Sequence, residues 1–243
     1  MKKRKDLILL ELIDYCHDVE DKKIIACKKH IWACQRFLRD LERSEAGEFP
    51  YIFNPQMFLP LDDGGKEDFY PVDRYLDWMR LFKHRKGPLA NQHKEPVIYE
   101  KFVYGNIYGW VHKDTKLRRF RRSYEQLARK NAKSQDKGIQ ALYEISALGE
   151  LSAEAYVAAT KKEQTRFVWG ESDWLYKNSI LRDNFTTKFD QELMQVIIKH
   201  KKSGSFFSRL SKDDKKTGDG ANPQFMVLAP DAGSPSRNGC TCL

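Results

Sequence analysis

The sequence predicts an α/β protein in which a mainly parallel sheet flanked by helices follows an N-terminal helical region. Residues 22–43 repeat apolar side chains at steps of three and four, the period of a helix with one buried face. From about residue 122 onward, short apolar runs of strand length alternate with amphipathic stretches of helix length. Such alternation is the pattern of a parallel sheet, because two parallel strands need a crossover long enough to hold a helix. Gly87-Pro88 and the polar stretch after it separate the two patterns, giving a helical region over 1–90 and a second region over 91–224.

Residues 5–18 read as a short helix. In the longer helix, Ile24, Cys27, Ile31, Cys34, Leu38 and Leu41 share one face, and lysines and arginines fill the others. Residues 44–71 are rich in Pro, Gly and Asp and read as an irregular connection with a turn at Asp62-Asp63-Gly64-Gly65. A third helix over 72–84 presents Val72, Tyr75, Leu76, Met79 and Phe82 on one side and stops at Gly87-Pro88. The stretch 88–96 reads as a linker. Residues 97–110 are dense in aromatics and suit either a buried helix or an extended segment, since Gly105 and Gly109 weaken the helix.

The second pattern starts with a strand expected over Arg122–Leu127 and a basic connection from Ala128 to Lys133. A helix over 134–148 carries Ile139, Leu142, Ile145 and Leu148 at helical spacing. A strand over 153–159 and a helix over 161–178 follow, and 180–210 reads as further short strands and turns.

Composition narrows the function classes. The chain has 243 residues and a formal net charge of +9, a surplus that favours polyanions without choosing among nucleic acid, nucleotide phosphates and anionic lipid. The N-terminus MKKRKDLILLELIDY opens like an export signal, but Glu11 and Asp14 interrupt a short apolar run and no small-residue cleavage site follows. No stretch approaches the ~18 apolar residues that span a bilayer, so a cytoplasmic protein with no membrane association is expected. Five cysteines, an odd count, read as reduced thiols. Cys27, His30 and Cys34 have the look of metal ligands, but both cysteines lie on the apolar stripe and read as core packing.

The segment that carries chemistry is Leu127-Ala128-Arg129-Lys130-Asn131-Ala132-Lys133-Ser134. A P-loop joins a strand through a tight turn to a helix whose first amides cradle phosphates. Its lysine reaches the outer phosphates, and its hydroxyl holds Mg²⁺. Lys133-Ser134 at a helix start fits these last two roles. The general pattern G-x-x-x-x-G-K-[ST] is broken, since Leu127 and Ala132 stand where glycines are usual. Taken alone, the eight residues also read as a solvated cationic helix start.

The surroundings add a resemblance. YEQLARKNAKSQ (124–135) is similar to the modified Walker A region of tailed-phage terminase large subunits, which often reads Ala-Arg-Lys-Asn, then Gly or Ala, then Lys-Ser. The segments 26–43 (ACKKHIWACQRFLRDLER), 77–90 (DWMRLFKHRKGPLA) and 101–124 (KFVYGNIYGWVHKDTKLRRFRRSY) resemble the same family. So do AYVAATKKEQTRFVW (155–169) and SKDDKKTGDGANPQ (211–224), the latter like the loop that precedes Walker B.

The resemblance implies an incomplete P-loop NTPase-type fold that binds ATP and Mg²⁺. It gives Lys133 the β- and γ-phosphates and Ser134 the Mg²⁺. Arg129 would sense the γ-phosphate, and the amides of Lys130, Asn131 and Ala132 would line the turn. Phe102 is a candidate for the adenine or, more simply, a core residue. The family's activity is DNA packaging in a bacterial host cell. Its partners are double-stranded DNA, a terminase small subunit and a portal protein.

The family continues with an apolar strand ending in Asp-Glu, the pair that positions Mg²⁺ and the attacking water. Here Phe225-Met226-Val227-Leu228 is followed by Ala229-Pro230, and Asp231 comes two positions late. No Walker B pair or nuclease carboxylate cluster is recognisable. Residues 225–243 read as a divergent, disordered tail, and its end Cys240-Thr241-Cys242-Leu243 lacks the aliphatic middle of a prenylation box. These departures carry the expectation of a chain truncated before Walker B and unable to package DNA alone. Two alternatives stand beside it. One is a non-enzymatic basic nucleic-acid-binding protein using 113–130, and the other is an inert prophage remnant with an open sheet edge.

Overall fold

The computed structural model describes residues 4–53, 71–128, 131–159, 162–191, 193–211 and 222–228. These fall into two compact units, one drawn from 1–77 and 95–131 and the other from 78–94 and 132–235.

The first unit is helical. Helices α1 (Arg4–Glu20), α2 (Lys28–Glu45) and α4 (Ile98–Gly109) surround a core that includes Leu12, Cys16, Cys34, Phe37, Phe102 and Trp110. Strands β1 (Tyr51–Phe53) and β2 (Trp110–His112) pair antiparallel, with Phe53 opposite Trp110. Helix α3 (Pro71–Arg80) supplies Tyr75, whose ring stacks on Tyr108 with centroids 4.8 Å apart.

The segment that suited helix or strand is helix α4. It is buried on every side from Phe102 to Gly109, so apolar contact compensates for its two glycines. Its start is fixed by the Glu100 carboxylate, which accepts a 3.0 Å hydrogen bond from the Val97 amide. Gly109 is required by packing, because a Cβ there would lie 2.4 Å from the Phe53 ring.

Helix α2 begins at Lys28 rather than at 22. Lys22 has φ 61°, which breaks the helical path, and Ile24 and Cys27 precede the helix. The buried face is His30, Ala33, Cys34, Phe37 and Leu41 together with Asp40.

The second unit holds a five-stranded sheet in the order β4-β5-β6-β3-β7, made from β3 (Glu154–Ala159), β4 (Phe185–Asp190), β5 (Gln195–His200), β6 (Phe206–Ser211) and β7 (Pro223–Leu228). β3 pairs parallel with β6 on one side and β7 on the other. β4, β5 and β6 run antiparallel, because the connections 191–194 and 201–205 are long enough only for hairpins. The sheet is therefore mixed rather than mainly parallel. Helices α5 (Lys133–Glu144) and α6 (Lys162–Lys177) pack against each other and against β3. Ile139, Leu142, Val168 and Leu175 are buried there, with Val157, Ile198 and Phe207 from the sheet.

Three further expectations need correction. No strand forms over 122–127. Arg121, Arg122, Ser123 and Tyr124 are exposed, so the segment has no buried alternate face to pair. Residues 225–228, expected to open a disordered tail, belong to strand β7: Phe225 and Val227 lie half-buried beside Ala155 and Val157. The stretch 88–96 is not a free linker, as shown below. The expected turn at 62–65, the loop 212–221 and residues 229–243 lie outside the described residues.

The α5–α6 contact depends on Gly138. A Cβ at this position would lie 2.9 Å from Ser172 Oγ and 3.3 Å from the Ser172 nitrogen, and Ser172 Oγ already donates to the Val168 carbonyl at 3.0 Å. Gly138→Val is expected to lower stability by about 1–3 kcal/mol through overpacking. Urea denaturation checks this; an unchanged midpoint would contradict so close an approach.

Candidate functional site

Lys133 is the first residue of α5, and the residue ahead of it bends the chain. Ala132 has φ 46° and ψ 9°, the left-handed region, and is the N-cap. An alanine there costs about 1–2 kcal/mol relative to right-handed backbone. This is the bend that a glycine usually makes in a phosphate-binding turn. Ala132 offers no side chain to cap the helix. The first intrahelical bond runs from the Asp136 amide to the Ala132 carbonyl at 3.0 Å, so the amides of Lys133, Ser134 and Gln135 come before it. The positive end of the helix dipole adds to the field of the lysine. The Lys133 and Ser134 side chains are both half-buried.

A left-handed turn followed by a helix start is thus present at 132–134. The buried strand expected to lead into them is not. Arg129 and Lys130 lie outside the described residues. Asn131 is exposed, and its side-chain amide donates to the Ala128 carbonyl at 3.4 Å.

The start of α5 is braced by a segment expected to be the end of a helix and a linker. Residues 83–94 fold back through a bridge between Lys83 and His93, with turns at Gly87 (φ 83°) and Asn91 (φ 66°). Gln135 is held at both ends of its amide: His84 Nδ1 shares a 3.0 Å hydrogen bond with Gln135 Oε1, and Gln135 Nε2 donates to the Lys83 carbonyl at 2.9 Å. Asp136 pairs with Lys94 at 2.8 Å, with side chains only 8% and 3% exposed. These contacts fix the first turn of α5. No local periodicity announces them, because the partners are some fifty residues apart.

Two other candidates are core residues. Phe102 is fully buried, with its ring 5.6 Å from Tyr15, 5.4 Å from His30 and 5.7 Å from Phe37, so it is not placed for an adenine. His30 and Cys34 are buried, and His30 Nε2 shares a 2.8 Å hydrogen bond with the Tyr15 hydroxyl. A hydrogen bond from Cys16 holds the Cys34 thiol below its ordinary range, against the opposing effect of burial. Cys27 stands apart as the N-cap of α2. Among the described residues, no three or more His, Cys, Asp or Glu side chains group to hold a metal ion. No described helix is long and apolar enough to cross a membrane.

Comparison with known proteins points to one family. A family model described as the ATPase domain of the terminase large subunit matches residues 98–232. No curated protein matches significantly. The large terminase of bacteriophage HK97 is similar in structure, with a TM-score of 0.50 and 14% identity over 65% of this chain and 30% of that one. The chain thus spans about 30% of the length of that terminase, and identity this low shows the fold alone. The large-terminase ATPase domain of Thermus phage P74-26 aligns with a TM-score of 0.35 and 16% identity over 49% of each chain, too weak a likeness to carry an argument.

Proposed function

Since the chain belongs to the terminase large-subunit ATPase-domain family, we propose that the start of α5 binds the phosphates of ATP. The supporting observation is the left-handed Ala132 directly ahead of Lys133, the first helical residue. Such a bend turns the first amides of a helix outward, where they and a lysine can offset phosphate charge. Lys133 is assigned the β- and γ-phosphates. The Ser134 hydroxyl is a hard oxygen donor of the kind that suits Mg²⁺. When bound, that ion would neutralise phosphate charge. Arg129, Lys130 and Asn131 keep the roles that the family gives them.

The brace at Gln135 and Asp136 has a positioning role here. It holds the helix start in one geometry, so that binding does not have to order it. Turnover by this chain is proposed to be absent or slow. β7 runs beside β3, but Ala229-Pro230 follows it where the family carries Asp-Glu. Phosphoryl transfer depends almost wholly on such positioning and charge stabilisation. For a complete family member we propose packaging of double-stranded DNA, with a small subunit and a portal protein, in the cytoplasm of a bacterial host.

The test is affinity for a fluorescent ATP analogue with Mg²⁺. Lys133→Ala is expected to weaken binding about 10- to 100-fold, the worth of one hydrogen bond to a charged group. Equal affinity of variant and parent would remove the site.

A further inference from the structure

We infer that the outward face of α2, continued by residues 113–122, is a docking surface for the phosphate backbone of duplex DNA. The inference uses none of residues 132–134 and stands apart from the nucleotide site.

Helical spacing puts Lys28, Lys29, Trp32, Arg36, Arg39 and Arg43 within an arc of roughly 100°. All are exposed except Arg36, which is half-buried; Trp32 is 53% exposed in the midst of the cations. From Lys28 to Arg43 the stripe runs about 22 Å at 1.5 Å per residue. Duplex DNA carries one charge per about 1.7 Å of axis with both strands counted, so ~22 Å of duplex holds about a dozen phosphates, of which the stripe meets those on one side.

On α2 the acidic neighbour is already neutralised, while in 113–122 Asp114 stays exposed, its carboxylate 3.9 Å from His112 Nδ1. Asp40 is 1% exposed, and its carboxylate lies 2.6 Å from Arg119, 3.2 Å from Arg39 and 3.8 Å from Arg43. Glu42 and Glu45 fall outside the arc. Arg119 also ties the second part of the surface to the first. It anchors its segment against α2, and Lys116, Arg121 and Arg122 of that segment are exposed.

Aromatic rings hold several of the cations in place. Arg43 lies over Phe49 at 4.6 Å, Arg36 over Phe120 at 4.7 Å and Lys28 over Trp32 at 5.0 Å. Cations ordered in advance lose less entropy when they meet phosphates. An anionic membrane is the less suitable occupant. A membrane-surface helix needs an apolar face to insert, and the apolar face of α2, with Ala33, Cys34, Phe37 and Leu41, is buried in the core.

The experiment is fluorescence polarisation of a short random-sequence duplex, titrated with the full chain over a range of salt and without nucleotide. The parent is expected to bind at low salt and to lose affinity steeply as salt rises. Lys29→Gln combined with Arg39→Gln removes two exposed cations. It should flatten the plot of log affinity against log salt by about 1.8, or 0.9 per lost phosphate contact. Arg39→Lys should restore its share, because a phosphate contact needs only the charge. Lys133→Ala should bind DNA like the parent, which separates failure here from failure of the nucleotide site. Three results would each overturn the proposal: no binding at low salt, an unchanged slope in a double variant whose circular dichroism matches the parent, or binding to phosphatidylserine vesicles with none to the duplex.

Discussion

Lys94→Met lowers stability by about 3–5 kcal/mol, the usual cost of stripping one partner from a buried ion pair. Lys94 and Asp136 meet at 2.8 Å with almost no exposure, so the variant leaves the Asp136 carboxylate in an interior that cannot hydrate it. The pair itself adds little net stability, because removing two charges from water offsets much of their attraction. The double variant Lys94→Met/Asp136→Leu should therefore recover most of the loss. Urea denaturation of parent, single and double variants gives the cycle. A single variant within about 1 kcal/mol of the parent would contradict the burial of the pair. Because Asp136 sits in the first turn of α5, the same single variant should also weaken nucleotide binding, and the double variant should partly restore it.

Arg119→Ala is the second large effect, with an expected loss of about 3 kcal/mol or more. Two contributions add. The guanidinium is the closest partner of buried Asp40, at 2.6 Å. It also lies over the rings of Phe49 and Phe120 at 4.7 Å, Trp110 at 5.2 Å and Tyr51 at 5.4 Å. Such contacts are worth up to ~2 kcal/mol when desolvated. Arg119→Lys should recover only part of the loss, since an ammonium cannot reproduce a planar group packed among rings. Thermal or urea unfolding reads the difference. Equal stability of parent and Arg119→Ala would mean that Arg39 and Arg43 alone satisfy Asp40.

The helices were the legible part of the fold. Apolar periodicity survives in α2, α3 and α6 because each buries one face, and α5 keeps it, although residues 138–144 are buried in succession, because polar side chains fill part of its buried surface. α4 was ambiguous for the opposite reason: buried all round, it has no period, and its glycines point away from helix. Strands β1 and β2 were missed because three residues cannot display an alternation. The segment 122–127 was misread as a strand because Tyr124 and Leu127 suit one, while its exposure depends on neighbours that no local pattern records.

The candidate site divides in the same way. Lys133-Ser134 could be found by likeness to a family motif even though both usual glycines were replaced. The left-handed bend at Ala132 could not, because alanine gives no hint of positive φ. Lys94, His84 and Gln135 were invisible for a simpler reason. Their roles exist only once residues 83–94 fold onto α5, and in sequence that stretch has the Gly-Pro and polar composition of a linker.

The central claim is that a nucleotide's phosphates sit on the first amides of α5, and amide chemical shifts test it most directly. An isotope-labelled sample titrated with Mg²⁺ and ATP should show its largest shift changes at Lys133, Ser134 and Gln135, and Lys133→Ala should abolish them. Saturable binding that leaves those amides unmoved while shifting others would contradict the account.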